Sequence, residues 1–248
     1  MPFLCTDLLT QQVLRCAGEK ENDMKRSEIN KALKRMESVI NDLRISLPPF
    51  CGFTPEEWRS KGHEYDEIRD NMLGWDITDY GLGDFNKVGF SLITLRNGNL
   101  KAGDKYPKPY AEKLLFIEEG QYSPNHFHWN KMEDIINRGG ADLLVKVYMA
   151  DENEGLSDRD VPVTMDGVTR YYPAGSIVRV HPGESITMQR YLYHEFWADG
   201  DIAMVGEVSM VNDDSKDNRF YVPNGRFADI EEDEPAEYLL CNEYPEAK

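Results

Sequence analysis

GQYSPNHFHWNKMEDIINRGG, running from Gly120 to Gly140, decides how the rest of the chain is read. His126 and His128 stand two residues apart, Glu133 follows five later, and glycines frame the run. On a β-strand, residues i and i+2 project from one face, so both imidazoles can grip a single cation. On a helix they would diverge by about 200° at 3.6 residues per turn. The pattern therefore asks for a strand. Downstream, YLYHEFW places His194 among Tyr191, Tyr193, Phe196 and Trp197, residues suited to the wall of a barrel interior. Three imidazoles and a carboxylate suit a divalent first-row metal in the range from manganese to zinc. His181, just before Pro182-Gly183, is the alternative to His194; otherwise His63 and His181 read as ordinary surface or core histidines.

Working outward, short apolar runs recur on both sides of this segment. KLLFIEE, DLLVKVYMA, VPVTM, TRYYP, SIVRV, SITMQR and DIAMVGEVSMV are strand candidates, with turns at Asp166-Gly167 and Pro182-Gly183. In VGFSLITLRNGNL the Asn97-Gly98 pair is a hairpin signal. Many short strands without long intervening helices argue for an antiparallel barrel or jelly roll. NKMEDIINRGG reads as a single helical turn between strands.

Before residue 75 the texture is helical. Ile29, Leu33, Met36, Val39, Ile40 and Leu43 form one apolar stripe, with Ser27 as the expected N-cap and Pro48-Pro49 as the stop. Thr54-Pro55-Glu56-Glu57 signals a second, short helix with a capping box. Residues 1–23 precede a second methionine, Met24, and read as a leader or extension. The resulting division is 1–23, a helical segment over 24–75 that packs on the barrel, and a barrel over 76–248. The acidic stretch from Ile230 reads as a solvated tail.

The chain has 248 residues, enough for one large β domain with a helical piece or for two small domains. Its net charge of −17 repels phosphate backbones and anionic membranes, so neither is an expected partner. No apolar stretch reaches the roughly 20 residues that a spanning helix needs. Cys5, Cys16, Cys51 and Cys241 are scattered without a CxxC pair and read as reduced thiols. With no secretory signal in the opening residues, a cytoplasmic address is expected.

Three further segments carry charge where chemistry could use it. Glu207 interrupts the apolar run VGEVSMV, and alternation puts it on one face with Val205 and Ser209. A carboxylate is seldom buried there unless paired or functional. Lys113 precedes LLFI and either snorkels to solvent or enters the cavity as an oxyanion donor. NDDSKDNRFY supplies Asp213, Asp214, Asp217 and Arg219, of which Asp217 and Arg219 are placed to fold over a cavity mouth.

The spacing G-x5-H-x-H-x4-E-x6-G from Gly120 to Gly140 resembles the first metal-binding motif of the cupins throughout. PAG at Pro173–Gly175 resembles their second motif, with His194 well beyond the usual short gap. AEKLLFIEEGQYSPNHFHWNKMEDIINRGG, PGESITMQRYLYHEF and GEVSMVNDDSKDNRF together resemble the bacterial D-lyxose isomerase family, from Met24 to the acidic tail. The resemblance implies a mainly β, cupin-type double-stranded β-helix (a jelly-roll barrel) with an N-terminal helical segment. It implies one divalent metal on His126, His128, Glu133 and His194, usually manganese, with zinc, cobalt or iron as alternatives. It also places Lys113, Glu207, Asp217 and Arg219 in the substrate cavity. The expected activity is isomerisation of free sugars, D-lyxose to D-xylulose and D-mannose to D-fructose, through a cis-enediol. In that scheme Glu207 moves the carbon proton, Lys113 steadies the developing oxyanion, and Asp217 and Arg219 hold distal hydroxyls or assist ring opening. A homodimer is the expected assembly. A cupin dioxygenase and a non-catalytic sugar-binding cupin are the rival readings.

Overall fold

Alternating burial shows where each strand meets its neighbours. The computed structural model describes residues 24–213, 216–225 and 229–248; the expected leader at 1–23 with Cys5 and Cys16, and Asp214, lie outside them. Met24–Lys25 (β1) opens directly into helix Arg26–Asp42 (α1), whose Ile29, Leu33, Met36 and Ile40 are buried. Lys25, not Ser27, holds the N-cap position. Ser27 instead donates its N–H and hydroxyl to the Asp233 carboxylate, a tertiary contact that displaces the local cap. Short helices follow at Pro55–Trp58 (α2) and Asp66–Asp70 (α3). The predicted capping box is present: Thr54 N–H donates to Glu57 at 2.8 Å, and Glu57 N–H donates to Thr54 Oγ1 at 3.2 Å.

The strands are Gly74–Thr78 (β2), Phe90–Arg96 (β3), Tyr110–Glu118 (β4), Tyr122–Phe127 (β5) and Glu133–Met149 (β6). Val161–Met165 (β7), Val168–Tyr172 (β8), Ile177–Val180 (β9), Ser185–Met188 (β10) and Leu192–Met210 (β11) follow. Arg219–Phe220 (β12) and Ile230–Glu231 (β13) complete the set. Among the described residues one antiparallel sheet runs β2-β3-β4-β11-β6-β10-β7-β8, with β5 also on β11, β12 on β5 and β9 on β6. The fold is mainly β and cupin-type, as expected. Its spine is the pair β6 and β11, matched from Leu192 opposite Met149 to Ser209 opposite Glu133.

Both spine strands belong to two faces of the barrel, so both must bend. The register shifts between Asp199 and Ala203, opposite Gly139 and Gly140, which have φ of 149° and 86°. A Cβ on Gly140 would lie 2.2 Å from the Ile202 carbonyl oxygen, and one on Gly139 would lie 2.8 Å from Leu43. Only glycine fits Gly140, on both steric and dihedral grounds. The motif glycine that frames the histidine run is thus the hinge of the barrel's longest ladder.

Two apolar layers flank the sheet. On β4, Leu115 and Ile117 join the barrel interior, whereas Leu114 and Phe116 pack with α1 residues Ile29, Leu33 and Met36. Lys113 shares the face of Leu115 and Ile117, so alternation turns it inward. Each fully buried aliphatic side chain of α1 contributes roughly 1.5–3 kcal/mol to holding the helix on the sheet.

Three expectations differ from what the structure shows. NKMEDIINRGG is not a helical turn: from Glu133 it is β6, because Ile135 and its alternating neighbours pair with β10 and β11. Asn97-Gly98 is not a two-residue hairpin turn, since β3 and β4 are joined through residues 97–109 and neither residue takes the positive φ that such a turn needs. The Asn97 side chain instead bonds Asn212, donating to its carbonyl and accepting from its N–H. The acidic tail is docked, not solvated. β13 pairs in parallel with β1, the guanidinium of Arg26 binds Glu232 and Glu243, and Leu240 is buried beside Trp75.

Gly140→Ala should cost at least about 2–3 kcal/mol, read as a lower urea midpoint. An unchanged midpoint would show that the hinge tolerates a side chain.

Candidate metal centre and active site

Pairing across the sheet assembles the site from distant segments. β5 carries His126, with His128 just beyond its end, and β11 brings His194 directly opposite His126. That pairing explains how a histidine 66 positions after His128 joins it. Glu133 begins β6, opposite Ser209 of β11. Glu207 of β11 faces Lys113 of β4 in register. All six side chains are buried, Glu207 and Lys113 at 5% exposure each.

The imidazoles are fixed by their own backbone neighbourhood. Nδ1 of His126 lies 2.7 Å from the Pro124 carbonyl, Nδ1 of His128 lies 3.0 Å from that of Asp217, and Nδ1 of His194 lies 3.0 Å from that of Leu192. A carbonyl only accepts, so each Nδ1 carries a proton and each ring turns its Nε2 into the cluster, that of His128 within hydrogen-bond distance of Glu133 Oε1. One ligand atom from each ring lies within 4.8 Å of the other two. Burial, then the neighbouring rings, holds His126 well below its ordinary pKa, and burial with His128 lowers His194 from 6.5 to about 4. Neutral rings are the form that metals bind.

Glu133 stands beside this cluster. Its Oε1 lies 3.3 Å from His128 Nε2 and 3.6 Å from His194 Nε2. Burial pushes its pKa up, but Lys131 and then His128 outweigh that and hold it well below the carboxylate range. The group is an anion at neutral pH. Nε2 of His194 is buried with no hydrogen-bond partner, which is costly for a polar atom without a function. An electron-pair acceptor in that position would complete it, so the residues fit a divalent cation.

His126, His128 and Glu133 line a cavity of about 390 Å3, within the range of small-ligand sites. Phe90, Phe196 and Phe220 wall one part, and Lys113, Lys131 and Glu207 supply charge. Lys113 Nζ is 3.4 Å from Glu207 Oε1, and Lys131 Nζ is 3.1 Å from the same atom.

Asp217 and Arg219 do not line this cavity. The Asp217 carboxylate accepts from Asn130 N–H, Asn130 Nδ2 and Lys131 N–H, while its carbonyl accepts from His128. It braces the turn between the second histidine and Glu133. Arg219 donates to Glu154 Oε2 at 3.0 Å, because β12 runs beside β5 with Phe220, not Arg219, over His126. His181 is exposed on Asp142, and His63 is exposed on Asp66.

Sequence reasoning passed over Lys131, Asp76 and Asn218, all in the cavity wall. Lys131 lies two residues before Glu133, the same spacing that flagged the histidines. Asp76 is a carboxylate within the apolar run around Trp75 and Ile77, the signal that flagged Glu207. Asn218 offered no signal in composition or spacing.

A cupin-type barrel that gathers three buried imidazoles beside an ionised carboxylate defines a small-ligand cavity whose residues could hold a metal. The chain belongs to the D-lyxose isomerase family, whose family model matches residues 24–244. Among its relatives, the D-lyxose/D-mannose isomerase of Serratia proteamaculans is 46% identical over 89% of this chain and 98% of its own. That of Escherichia coli is 47% identical over the same shares. In fold, the chain is similar to the L-ribose isomerase of Cellulomonas parahominis solved with L-ribose: TM-score 0.53, 18% identity, 85% of this chain and 100% of that one. An Acinetobacter L-ribose isomerase solved with L-ribose gives a TM-score of 0.54 at 16% identity, over 86% of this chain and all of that one. Membership makes the chain an enzyme of the aldose–ketose isomerase class.

The buried histidines set a pH dependence. An unfolded histidine titrates near 6.5 and His194 in the fold near 4, so between those values the unfolded chain binds the extra proton. Stability of chelator-treated protein must then fall as pH drops through that window, by about 2 kcal/mol from pH 7 to pH 5 for this group. The fall in urea stability should shrink by that amount in His194→Gln. An equal fall in both proteins would refute the assignment.

Proposed function

We propose that this isomerase acts on free, unphosphorylated sugars with the aid of one divalent metal, interconverting D-lyxose with D-xylulose and D-mannose with D-fructose. The observation that carries the reading is Glu207, a buried carboxylate sharing one cavity with the imidazole cluster. The names of the two close relatives support the choice of sugars.

The chemistry asks for a proton to move between C2 and C1 and another between their oxygens. The carbon proton is the harder one. When bound on His126, His128, His194 and Glu133, a divalent ion (manganese in our reading) supplies Lewis acidity to the sugar's carbonyl. Glu207 takes the proton from C2 at a carboxylate oxygen and returns it to C1 on the same face of a cis-enediol. Lys113, opposite Glu207 across the ladder, donates to the oxygen on which negative charge develops. The phenylalanine wall keeps bulk water from the reacting carbons. Asp217 acts at one remove, by orienting His128 through its carbonyl and the 130–131 turn through its carboxylate.

Charge supports a neutral substrate. A phosphate calls for convergent, unspent cations, commonly bidentate arginine. Among the described residues no arginine lines the cavity, and both of its lysines sit on carboxylates.

Glu207→Gln should keep metal stoichiometry within error of wild type and lose about 100-fold or more in kcat for D-lyxose. Full turnover in that variant would move the base elsewhere. Dialysis against a chelator should abolish turnover, and added manganese should restore it; turnover that survives chelation would sink the metal-assisted reading.

A further inference from the structure

The ammonium of Lys131 touches both the carboxylate beside the histidine cluster and the candidate base. Its Nζ lies 2.6 Å from Glu133 Oε2, 3.1 Å from Glu207 Oε1 and 2.9 Å from Asn212 Oδ1. The ammonium donates hydrogen bonds to Glu207 and Asn212, whereas its contact with Glu133 Oε2 is an ion pair. The two oxygens of Glu133 therefore face different ways. Oε1 points toward His128 and His194, while Oε2 points toward Lys131.

We infer that Lys131 is a positioning residue that couples metal binding to the base, by fixing Glu133 with a single oxygen toward the cation while holding Glu207 at a set distance. The inference rests on the metal-dependent isomerase reading. Three features support it.

The first is geometric. A carboxylate with a free second oxygen can rotate and bind a cation through both atoms or through either one. With Oε2 drawn toward the Lys131 ammonium by charge, Glu133 presents Oε1 to the histidines. Groups that hold a ligand from behind tune affinity and orientation in this way.

The second is rigidity. The Lys131 backbone N–H donates to Asp217 Oδ2 at 2.7 Å, and Asn130 is held by the same carboxylate. The stem of the lysine is therefore anchored at its root as well as at its head, and is 4% exposed. The Asp217 carbonyl that fixes His128 belongs to the same brace. One small network thus sets a ligating ring, a ligating carboxylate and the base.

The third is electrostatic. Glu133 and Glu207 are two buried carboxylates on adjacent strands, and each has Lys131 within salt-bridge distance. Removing the cation between them leaves like charges facing one another in a poorly screened interior, a costly arrangement. Each carboxylate would then relax away from the other, and the metal and the base would lose their common reference.

The test uses the full-length protein with Lys131→Met, which keeps length and removes charge, and Lys131→Gln, which keeps a hydrogen-bond donor without charge. Manganese binding is followed by calorimetry on chelator-treated protein, and isomerisation of D-lyxose at saturating metal. Coupling predicts that both variants bind manganese about 10- to 100-fold more weakly and that kcat falls by a similar factor, with KM changed less than threefold. Wild-type manganese affinity with reduced kcat would overturn the coupling, leaving Lys131 a partner of Glu207 alone. Wild-type values of both quantities would overturn it entirely. So would a Lys131→Gln protein that matches wild type while Lys131→Met does not, since donor geometry without charge would then suffice. Should Lys131→Met fail to fold, Lys131→Met combined with Glu207→Met removes both charges, and weakened manganese binding in that protein, beyond any loss in Glu207→Met alone, decides the same question. Failure of the isomerase reading itself is separable: wild-type protein would then bind manganese yet form no ketose.

Discussion

Three backbone carbonyls, those of Pro124, Leu192 and Asp217, decide what this barrel can do. Each accepts from the Nδ1 of one histidine and so turns the Nε2 of that ring toward the other two. Burial keeps His126 and His194 neutral at ordinary pH. The carbonyls are themselves placed by the ladders. His126 and His194 face each other because β5 and β11 are in register at that point, and His128 follows from the two-residue repeat. Strand pairing sets the tautomers, and the tautomers make the cluster a ligand.

The same ladders deliver opposite charge to the cavity floor. A lysine and a glutamate directly across a β4–β11 pair would be an unremarkable surface feature on the outer face of a sheet. On the inner face, next to an anionic Glu133 and a second lysine, they form a buried chain of alternating sign. Such groups stabilise a fold weakly, because desolvation offsets most of the attraction. Their retention in the interior is better understood through what they do to a bound sugar. α1 has a supporting part in this. By covering the outer face of β4 it makes both faces of that strand dry, so Lys113 cannot reach water by twisting outward.

Much of this was legible in the chain. Spacing alone put His126 and His128 on one strand face, and alternation alone turned Glu207 and Val205 the same way. Where reading failed, non-local contacts had overridden local preference. Ser27 looks like a cap until Asp233 arrives from the far end of the chain. IEEDEPAEYLL looks like a soluble tail because five of its eleven residues are acidic, yet Arg26 gathers two of the tail's carboxylates and Tyr238 stacks on Trp75 at 5.3 Å. Asn97-Gly98 has the composition of a tight turn, but its side chain finds Asn212. Asp217 and Arg219 were recognisable as charged residues near the cavity, whereas their aim depended on a loop whose course no periodicity encodes. Lys131 was overlooked for the opposite reason: a lysine beside an acid is commonplace on surfaces, and its burial is a property of the assembled barrel alone.

The clasp between α1 and the last segment carries a consequence for how the molecule is made. Arg26 meets its partners 206 and 217 positions later, and the parallel pairing of β1 with β13 spans a similar interval. During synthesis the greasy stripe of the first helix therefore emerges long before the strands and acids that will cover it. Completion of that layer must wait until nearly the whole polypeptide has left the ribosome, and truncation near the end would leave the helix resting on β4 without the strand and the two carboxylates that clasp it.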